Sequence, residues 1–256
     1  MKPRRASSLL RLFAVQGSYN YERMLGIGIG VAEEPLLRDL PGGGRGEAYR
    51  AAVARGARFF NAHPYLCGLA VGAAARAEHE GTPPEQIERL RAALCGPLGS
   101  LGDRLVWAGW LPFVAGLALA GIALGGGWLA IAAFLVVYNA GHLALRWWAL
   151  RAGWEYGSRV AAALHHPVLR RAGALVAPAM ALATGFALPL VAQYLAQLFA
   201  GVGPDAGWAR LTLAGTATGG FALLRWRPDI VSGLRLGLAA VAAALAVALG
   251  VGWVWR

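Results

Sequence analysis

Apolar residues are distributed unevenly along this chain. In the N-terminal third they are mixed with charged positions, whereas the remainder consists mainly of long apolar runs separated by short polar or basic stretches. A helix needs about 20 predominantly apolar residues to cross a bilayer. The pattern therefore predicts an all-α integral membrane protein with about five helices of transmembrane length, at residues 105–124, 128–145, 174–200, 208–224 and 230–255.

The N-terminal segment, residues 1–62, has the pattern of amphipathic helices that lie in the cytoplasm or at the membrane interface. Apolar side chains at helical spacing predict a helix over residues 47–61, with Tyr49, Val53 and Phe60 on one face. Two interpretations of this face remain open. It can lie against lipid headgroups, with arginines towards anionic lipid, or it can pack into a protein core.

Three glycines, Gly26, Gly28 and Gly30, alternate with apolar residues in the same N-terminal segment. Such a pattern can hold a phosphate group when it follows a strand and opens a helix, but no strand pattern precedes it here. We interpret these glycines as positions where another part of the backbone approaches a helix closely.

The middle of the chain has the features of interrupted helices. The run at residues 66–75 is apolar but too short to span a membrane, which favours a re-entrant or interfacial segment. Residues 94–112 contain four glycines, two prolines and the pair Asp103–Arg104, which predict a backbone that breaks, turns and re-enters. We therefore expect a motif-bearing transport region at residues 63–157, followed by C-terminal membrane helices at 158–256.

The charge distribution supports a membrane protein. Hydrophobic residues make up 57% of the chain and charged residues only 14%. The formal net charge of +11 does not indicate nucleic-acid binding, because no basic run with interleaved aromatic residues occurs. The positive-inside rule places the N-terminus and the basic loops at 146–171 and 225–229 in the cytoplasm. The short, arginine-interrupted apolar stretch near residue 11 is not expected to act as a cleavable export signal.

The sequence contains no recognisable pattern for a metal or another cofactor. Cys67 and Cys95 do not match the spacing of zinc or redox motifs, and we expect two free, buried thiols. His165 and His166 are adjacent in a basic stretch, but no third metal ligand is nearby in the sequence. We predict neither a metal site nor a cofactor.

Four separated blocks resemble a known family. They are QGSYNYERM at 16–24, FFNAHPY at 59–65, GPLGSLGDRLVWAGWLP at 96–112 and YNAGHLALRWWAL at 138–150. In order and spacing they are similar to the IID subunit of the mannose/fructose/sorbose family of the bacterial sugar phosphotransferase system (PTS). The last apolar segments fit this family in hydropathy only.

The resemblance implies a partner and an activity. Subunits of this type form a complex with a IIC membrane subunit, arranged as a trimer of IIC–IID pairs, in the bacterial cytoplasmic (inner) membrane. The complex moves a hexose across the bilayer by an elevator-like movement, and cytoplasmic IIB, charged through IIA, phosphorylates the sugar. The IID subunit carries no phosphohistidine, so the resemblance implies no catalytic residues of its own and no phosphoryl-carrier role for His63 or His142.

The blocks also suggest substrate-binding residues. Sugar sites use a few amides, carboxylates and an aromatic face in an otherwise apolar cavity. The positions that match the family motifs and have these chemical types are Gln16, Asn20, Asn61, His63, Asp103, Trp107 and Asn139.

Structural roles for several of these residues stay open beside the binding role. Asp103 can be the N-cap of a helix that starts at Arg104, and Asn61 can cap a helix end. His63 can be a packed core histidine and Trp107 a core or interface aromatic. Asn139 lies in an apolar run, where an amide needs a hydrogen-bond partner.

The chain departs from the family pattern next to Asp103. Arg104 replaces the usual Ser or Pro, Ala108–Gly109 replaces Gly–Thr, and Leu111 replaces an Arg. These departures support a second hypothesis, in which the chain is a non-transporting scaffold or regulatory membrane protein derived from a IID subunit. A membrane-embedded enzyme is the third hypothesis, and it has no acid–base or metal constellation to support it.

Overall fold

The structure, a computed structural model, describes residues 2–200 and Ala239. The α-helices of residues 2–200 are α1 (Lys2–Leu12), α2 (Gly26–Leu37), α3 (Glu47–Gly56), α4 (Cys67–His79), α5 (Pro84–Gly102), α6 (Leu111–Ala123), α7 (Gly127–Tyr156) and α8 (Pro167–Ala200). A π-helical segment, Asp103–Trp110, joins α5 to α6, and 3-10 turns cover Gly43–Arg45 and Gly157–His165. Within residues 2–200 there is no β-strand, only two isolated bridges at Met24. The all-α class is confirmed for this part of the chain.

The chain divides into two compact units. The first comprises Met1–Arg104 and Ala140–Arg170, and the second comprises Leu105–Asn139 and Arg171–Arg256. Each unit thus draws on two separated stretches of sequence. The division at residues 62 and 157 that the sequence suggested stays a proposal about function.

Helix α4 is the central helix of the first unit, and ten of its thirteen residues are buried. Its glycines allow close contact with α7. A Cβ atom at Gly72 would lie 2.5 Å from the carbonyl oxygen of Leu150, and one at Gly68 would lie 2.7 Å from the Leu150 nitrogen. Protein surrounds this run on most sides, and its expected re-entrant or interfacial place in a membrane stays a prediction.

The alternating glycines of α2 are packing positions, as predicted. A Cβ atom at Gly30 would lie 3.0 Å from the backbone nitrogen of Ala57, and one at Gly26 or Gly28 would lie even closer to the backbone oxygen of Arg58 or Val15. Because only hydrogen fits at these positions, α2 can contact the turn after α1 and the segment after α3.

Helix α3 ends at Gly56, five residues before the predicted end at residue 61. The Arg91 guanidinium donates a hydrogen bond of 2.7 Å to the carbonyl oxygen of Gly56, in place of a continuing helix. The apolar face of α3 points inwards: Ala52 and Gly56 are buried, and the Tyr49 hydroxyl donates to Glu34 at 2.6 Å. This geometry favours the interpretation of α3 as a core helix over the headgroup interpretation.

Residues 94–112 do not turn back, so the prediction of a broken, re-entering backbone is wrong. The path from Pro84 to Ala123 is helical throughout, with the wider π-helical turns at Asp103–Trp110 as its irregular part. Asp103 has φ −59° and ψ −45°, which are helical values and exclude an N-cap geometry. Pro112 lies just after the π-helical segment and has no N–H to donate back to it.

In the second unit, α6 and α7 form a hairpin. Its turn runs through Gly125 and Gly127, which both have positive φ angles, and the Gly126 nitrogen donates to the Gly121 oxygen at 2.8 Å. Helix α6 also contacts α8, where a Cβ atom at Gly116 would lie 3.1 Å from the Ala183 backbone. Glycine thus sets both contacts of α6.

Two helical stretches are long and apolar enough to cross a membrane by length and composition, Pro84–Ala123 and Gly127–Tyr194. They include residues 105–123 of the first predicted segment, all of the segment 128–145 and most of 174–200. The predicted segments 208–224 and, except for Ala239, 230–255 lie outside the described residues. The expected number of about five spans therefore stays a prediction.

Candidate functional site

The first two motif blocks are joined by backbone hydrogen bonds in the first unit. The Leu25 nitrogen donates to the Phe60 oxygen at 2.9 Å, and the Phe60 nitrogen donates to the Arg23 oxygen at 3.2 Å. Phe60 itself is fully buried. The segment of residues 59–65, which follows α3, is thereby fixed beside the loop of residues 16–24.

A compact group of aromatic and basic side chains, here called the His–Arg cluster, lies behind these blocks. Its members are Phe13, His63, Tyr65, His142 and Arg146. Tyr65 stacks on the His142 ring with centroids 4.0 Å apart, and His63 meets Tyr65 edge-on at 5.0 Å. Phe13 lies 5.1 Å from the His142 ring on a third side. The cluster connects the end of α1, the segment before α4 and helix α7.

Arg146 is the buried cation of the His–Arg cluster, with 2% of its surface exposed. Its Nε–H donates to Nε2 of His142 at 2.6 Å, so His142 carries its proton on Nδ1 in this arrangement. A second guanidinium nitrogen donates to the carbonyl oxygen of Leu12. The guanidinium also lies over the ring of Tyr65, 4.7 Å from its centroid. These contacts hold one positive charge at a fixed position.

His63 is neutral at physiological pH in this environment. Burial and the nearby positive charge of Arg146 lower its pKa from 6.5 to about 4. Its Nδ1 accepts a hydrogen bond from the backbone nitrogen of Tyr65 at 3.2 Å. His63 therefore acts as a hydrogen-bonding core residue in the described structure.

The third block reaches the same place through Gly102. A Cβ atom at Gly102 would overlap the His63 side chain, so only glycine permits this approach of α5. The next residue, Asp103, is exposed. The second, third and fourth blocks thus contribute residues that meet in the His–Arg cluster, and the first block is hydrogen-bonded to the second.

The predicted substrate-binding residues of the first unit are mostly at the surface. Gln16 and Asn61 are exposed, as is Asp103, whereas His63 is buried. The Asn20 side chain forms hydrogen bonds within its own turn. Its Oδ1 accepts hydrogen bonds from the backbone nitrogens of Glu22 and Arg23 at 3.1 and 2.8 Å. Asp103 thus follows Gly102, which contacts His63, and Asn61 follows the fully buried Phe60.

Trp107 and Asn139 belong to the second unit and are described separately. Trp107 is 43% exposed, within the π-helical segment. Asn139 is exposed on α7, and its side-chain nitrogen donates to the Leu135 oxygen at 2.7 Å. This local bond satisfies the amide without a second helix.

Sequence reasoning missed four members of the cluster, Phe13, Tyr65, His142 and Arg146. Arg146 was assigned to a basic cytoplasmic loop, but it lies inside α7 and is buried. The available signal was the spacing of His142 and Arg146, which puts them on one face of a helix. Within the described residues, no three or more His, Cys, Asp or Glu side chains are grouped so that they could hold a metal ion.

Comparison with protein families gives a match over most of the described chain. The model of the "PTS system mannose/fructose/sorbose family IID component" matches residues 2–183. The sorbose-specific EIID component of Lacticaseibacillus casei is 34% identical over 147 residues, which are 56% of this chain and 51% of that protein. The mannose-specific EIID component of Escherichia coli strain K12 is 31% identical over 153 residues, 58% of this chain and 53% of that protein. The chain spans about half the length of the curated relatives it matches.

A solved structure is also similar. The cryo-EM structure of the mannose transporter ManYZ in complex with microcin E492 contains a chain that matches with a TM-score of 0.57 and 25% sequence identity. The match covers 75% of this chain and 70% of that chain. The helical arrangement described above is therefore shared with a membrane transporter component.

Proposed function

Since this chain belongs to the mannose/fructose/sorbose family of PTS IID components, we propose that it is a membrane subunit for hexose-class sugar uptake. In this proposal it forms the translocation path with a IIC subunit, as a trimer of IIC–IID pairs. Cytoplasmic IIB, charged through IIA, phosphorylates the arriving sugar. The chain crosses the bacterial inner membrane several times, with its N-terminus in the cytoplasm.

The observation that carries this proposal is the convergence of three distant sequence blocks on one cluster, with the first block hydrogen-bonded to the second. His63 contacts Gly102 from the third block, and Tyr65 stacks on His142 from the fourth block. The residues that make these contacts are the ones that also carry the family resemblance. A packed junction of this kind fixes the backbone from which the exposed polar side chains project.

Sugar recognition is assigned to the polar residues beside the junction rather than to the junction itself. The amides of Gln16 and Asn61 and the carboxylate of Asp103 can donate or accept hydrogen bonds with sugar hydroxyl groups. Trp107 offers an aromatic face of the kind that sugar rings pack against. Asn20, His63 and Asn139 are retained as proposed members of the site, with His63 in a positioning role.

Replacing Asp103 by Asn tests the proposal most directly. The change keeps the shape of the side chain but removes its charge, and hydrogen bonds to charged groups are worth about 1.5–3 kcal/mol. We expect hexose uptake to fall roughly 10- to 100-fold in cells that contain the variant together with IIC, IIB and IIA. Asp39→Asn is the matched control, because Asp39 makes a surface pair with Arg4 and should leave uptake unchanged.

The scaffold hypothesis gives a different outcome in the same cells. The departures from the family pattern at Arg104, Ala108–Gly109 and Leu111 lie within or directly after the π-helical segment, close to Asp103 in sequence. If the unmodified chain assembles with its partners but supports no uptake of any hexose tested, the scaffold hypothesis replaces the transport proposal. If uptake is normal and Asp103→Asn does not change it, Asp103 is removed from the site.

A further inference from the structure

A second feature of the first unit is separate from the His–Arg cluster. A cavity of about 610 Å³ opens between the C-terminal end of α3 and the first half of α5. This volume is within the range of small-molecule sites, roughly 300–1,000 Å³. The charged side chains of its wall are Arg55, Arg58, Arg89, Arg91, Glu85 and Glu88. Arginine therefore outnumbers acid on the wall by four to two.

Two of these arginines are fixed in place. Arg55 makes two hydrogen bonds of 2.8 Å to the carboxylate of Glu78, and both side chains are nearly buried. Arg91 contacts Glu33 at 3.2 Å and donates to the Gly56 oxygen at 2.7 Å. Glu33 and Glu78 are not part of the cavity wall. Glu78 and Glu33 thus hold the two guanidinium groups in place and offset their charge.

The other two arginines can adapt to a ligand. Arg58 is 64% exposed and pairs with Glu88, which is itself 39% exposed. Arg89 is exposed, and its Nε–H donates to the backbone oxygen of Glu85 at 3.2 Å. Surface ion pairs contribute only about 0–1 kcal/mol, so a competing anion can replace them at small cost.

Arg58 and Arg89 can reorient towards a phosphate group in the cavity, which the fixed Arg55 and Arg91 also line. Guanidinium presents paired N–H donors whose geometry matches the oxygens of a phosphate. Phe59 also lines the cavity and is 55% exposed, which provides an apolar surface for the organic part of a ligand. We propose that this cavity binds the phosphate of a phosphate monoester, independently of the sugar site. The phosphate can belong to a soluble metabolite or to a lipid headgroup.

The two native cysteines make this proposal measurable. Cys95 lines the cavity and is partly exposed, whereas Cys67 is fully buried in α4. The experiment follows the rate at which a maleimide labels Cys95 in the full chain, reconstituted in phosphatidylcholine vesicles, with peptide mass spectrometry to separate the two thiols. The probes are inorganic phosphate, glycerol 3-phosphate and phosphatidic acid added to the vesicles, each compared with sodium chloride at equal ionic strength.

We expect saturable protection of Cys95 by at least one of these phosphates. In the double variant Arg58→Gln/Arg89→Gln, the phosphate concentration that gives half-maximal protection should rise at least tenfold. Arg50→Gln is the matched control, because Arg50 is exposed on α3 and does not line the cavity.

Each outcome of the labelling experiment decides the proposal. Protection by the soluble phosphates supports it and identifies a soluble ligand, and protection by phosphatidic acid alone supports it and identifies a lipid headgroup. Labelling rates that no phosphate changes beyond the chloride control would overturn it. Equal protection in the double variant and in Arg50→Gln would overturn it as well.

Discussion

The two compact units of this chain differ in where their charged and their apolar side chains lie. The first unit holds ion pairs inside its core, such as Glu33 with Arg91, whose side chains are 2% and 5% exposed. The stretch Leu105–Asn139 of the second unit contains no Asp, Glu, Lys or Arg at all. Many of its large apolar side chains are exposed, among them Trp128 at 73% and Val136 at 69%.

This difference indicates which surroundings each unit is built for. In water, exposed apolar side chains in such number would promote association, whereas in lipid they need no cover. In the first unit, the buried side chains of Ser8, Glu33 and Arg91 have hydrogen-bond partners, as burial of polar groups requires. The same chain thus combines a unit with the interior of a soluble protein and a stretch with the surface of a membrane protein.

The largest effect is expected from placing a charge on the exposed apolar surface of the second unit. Val136→Arg should lower membrane insertion by roughly 2.5–3.5 kcal/mol, the cost of an arginine in the middle of a membrane helix. The measurement is the fraction of the chain that stays in carbonate-washed membranes. Ala48→Arg, at an exposed position of α3, is the control and should have no effect on that fraction. Equal insertion of both variants would break the contrast between the units.

The second effect concerns the buried carboxyl group of Glu33. Burial raises its pKa from 4.5 to about 7, in spite of the attraction of Arg91. Because the folded state binds this proton more tightly, Glu33 contributes stability that is complete below pH 4.5 and is lost as the pH rises through 7. Between pH 4.5 and pH 7.5, the free energy of unfolding of Glu33→Gln should rise by about 3 kcal/mol relative to that of the unmodified chain.

The neighbouring Glu34 provides the control for this titration. Burial would raise its pKa, but hydrogen bonds from Arg38, Tyr49 and Arg11 outweigh burial and lower the pKa to about 2. Its contribution to stability is therefore present above pH 4.5 and is lost as the pH falls towards 2. Denaturant unfolding between pH 4.5 and 7.5 should show a pH-dependent difference for Glu33→Gln and a nearly constant one for Glu34→Gln. A constant difference for Glu33→Gln would mean that Glu33 is not buried.

The parts of the fold that the sequence predicted are those set by local pattern. The length of the apolar runs predicted the helices of the second unit. The alternation of Gly26, Gly28 and Gly30 correctly indicated close backbone contacts. The interruption at residues 94–112 was misjudged because glycine and proline there were interpreted as turns. The structure uses Gly102 as a contact surface for His63 and keeps the backbone helical.

The parts that could not be predicted depend on partners far apart in the chain. Glu33 and Arg91 are 58 positions apart, and Arg146 reaches Leu12 over 134 positions. The spacing of His142 and Arg146 indicated a shared helix face, but it did not show that Leu12 and Tyr65 would bury the guanidinium. The motif blocks identified segments that meet in the His–Arg cluster, whereas the contacts between them required the fold.

The smallest predicted effect compares two ion pairs of the first unit that have similar N–O distances but different burial. Arg151 and Glu155 approach to 2.7 Å with side chains 56% and 51% exposed, and Arg55 and Glu78 approach to 2.8 Å with 12% and 10% exposed. Glu155→Gln should change the free energy of unfolding by no more than about 0.5 kcal/mol, because water screens an exposed i,i+4 pair. Glu78→Gln should cost about 1–3 kcal/mol, since it leaves the Arg55 guanidinium with a weaker partner in a nearly buried position. Denaturant unfolding of both variants at neutral pH measures the two values, and equal values would show that the first unit has no dry interior around Arg55.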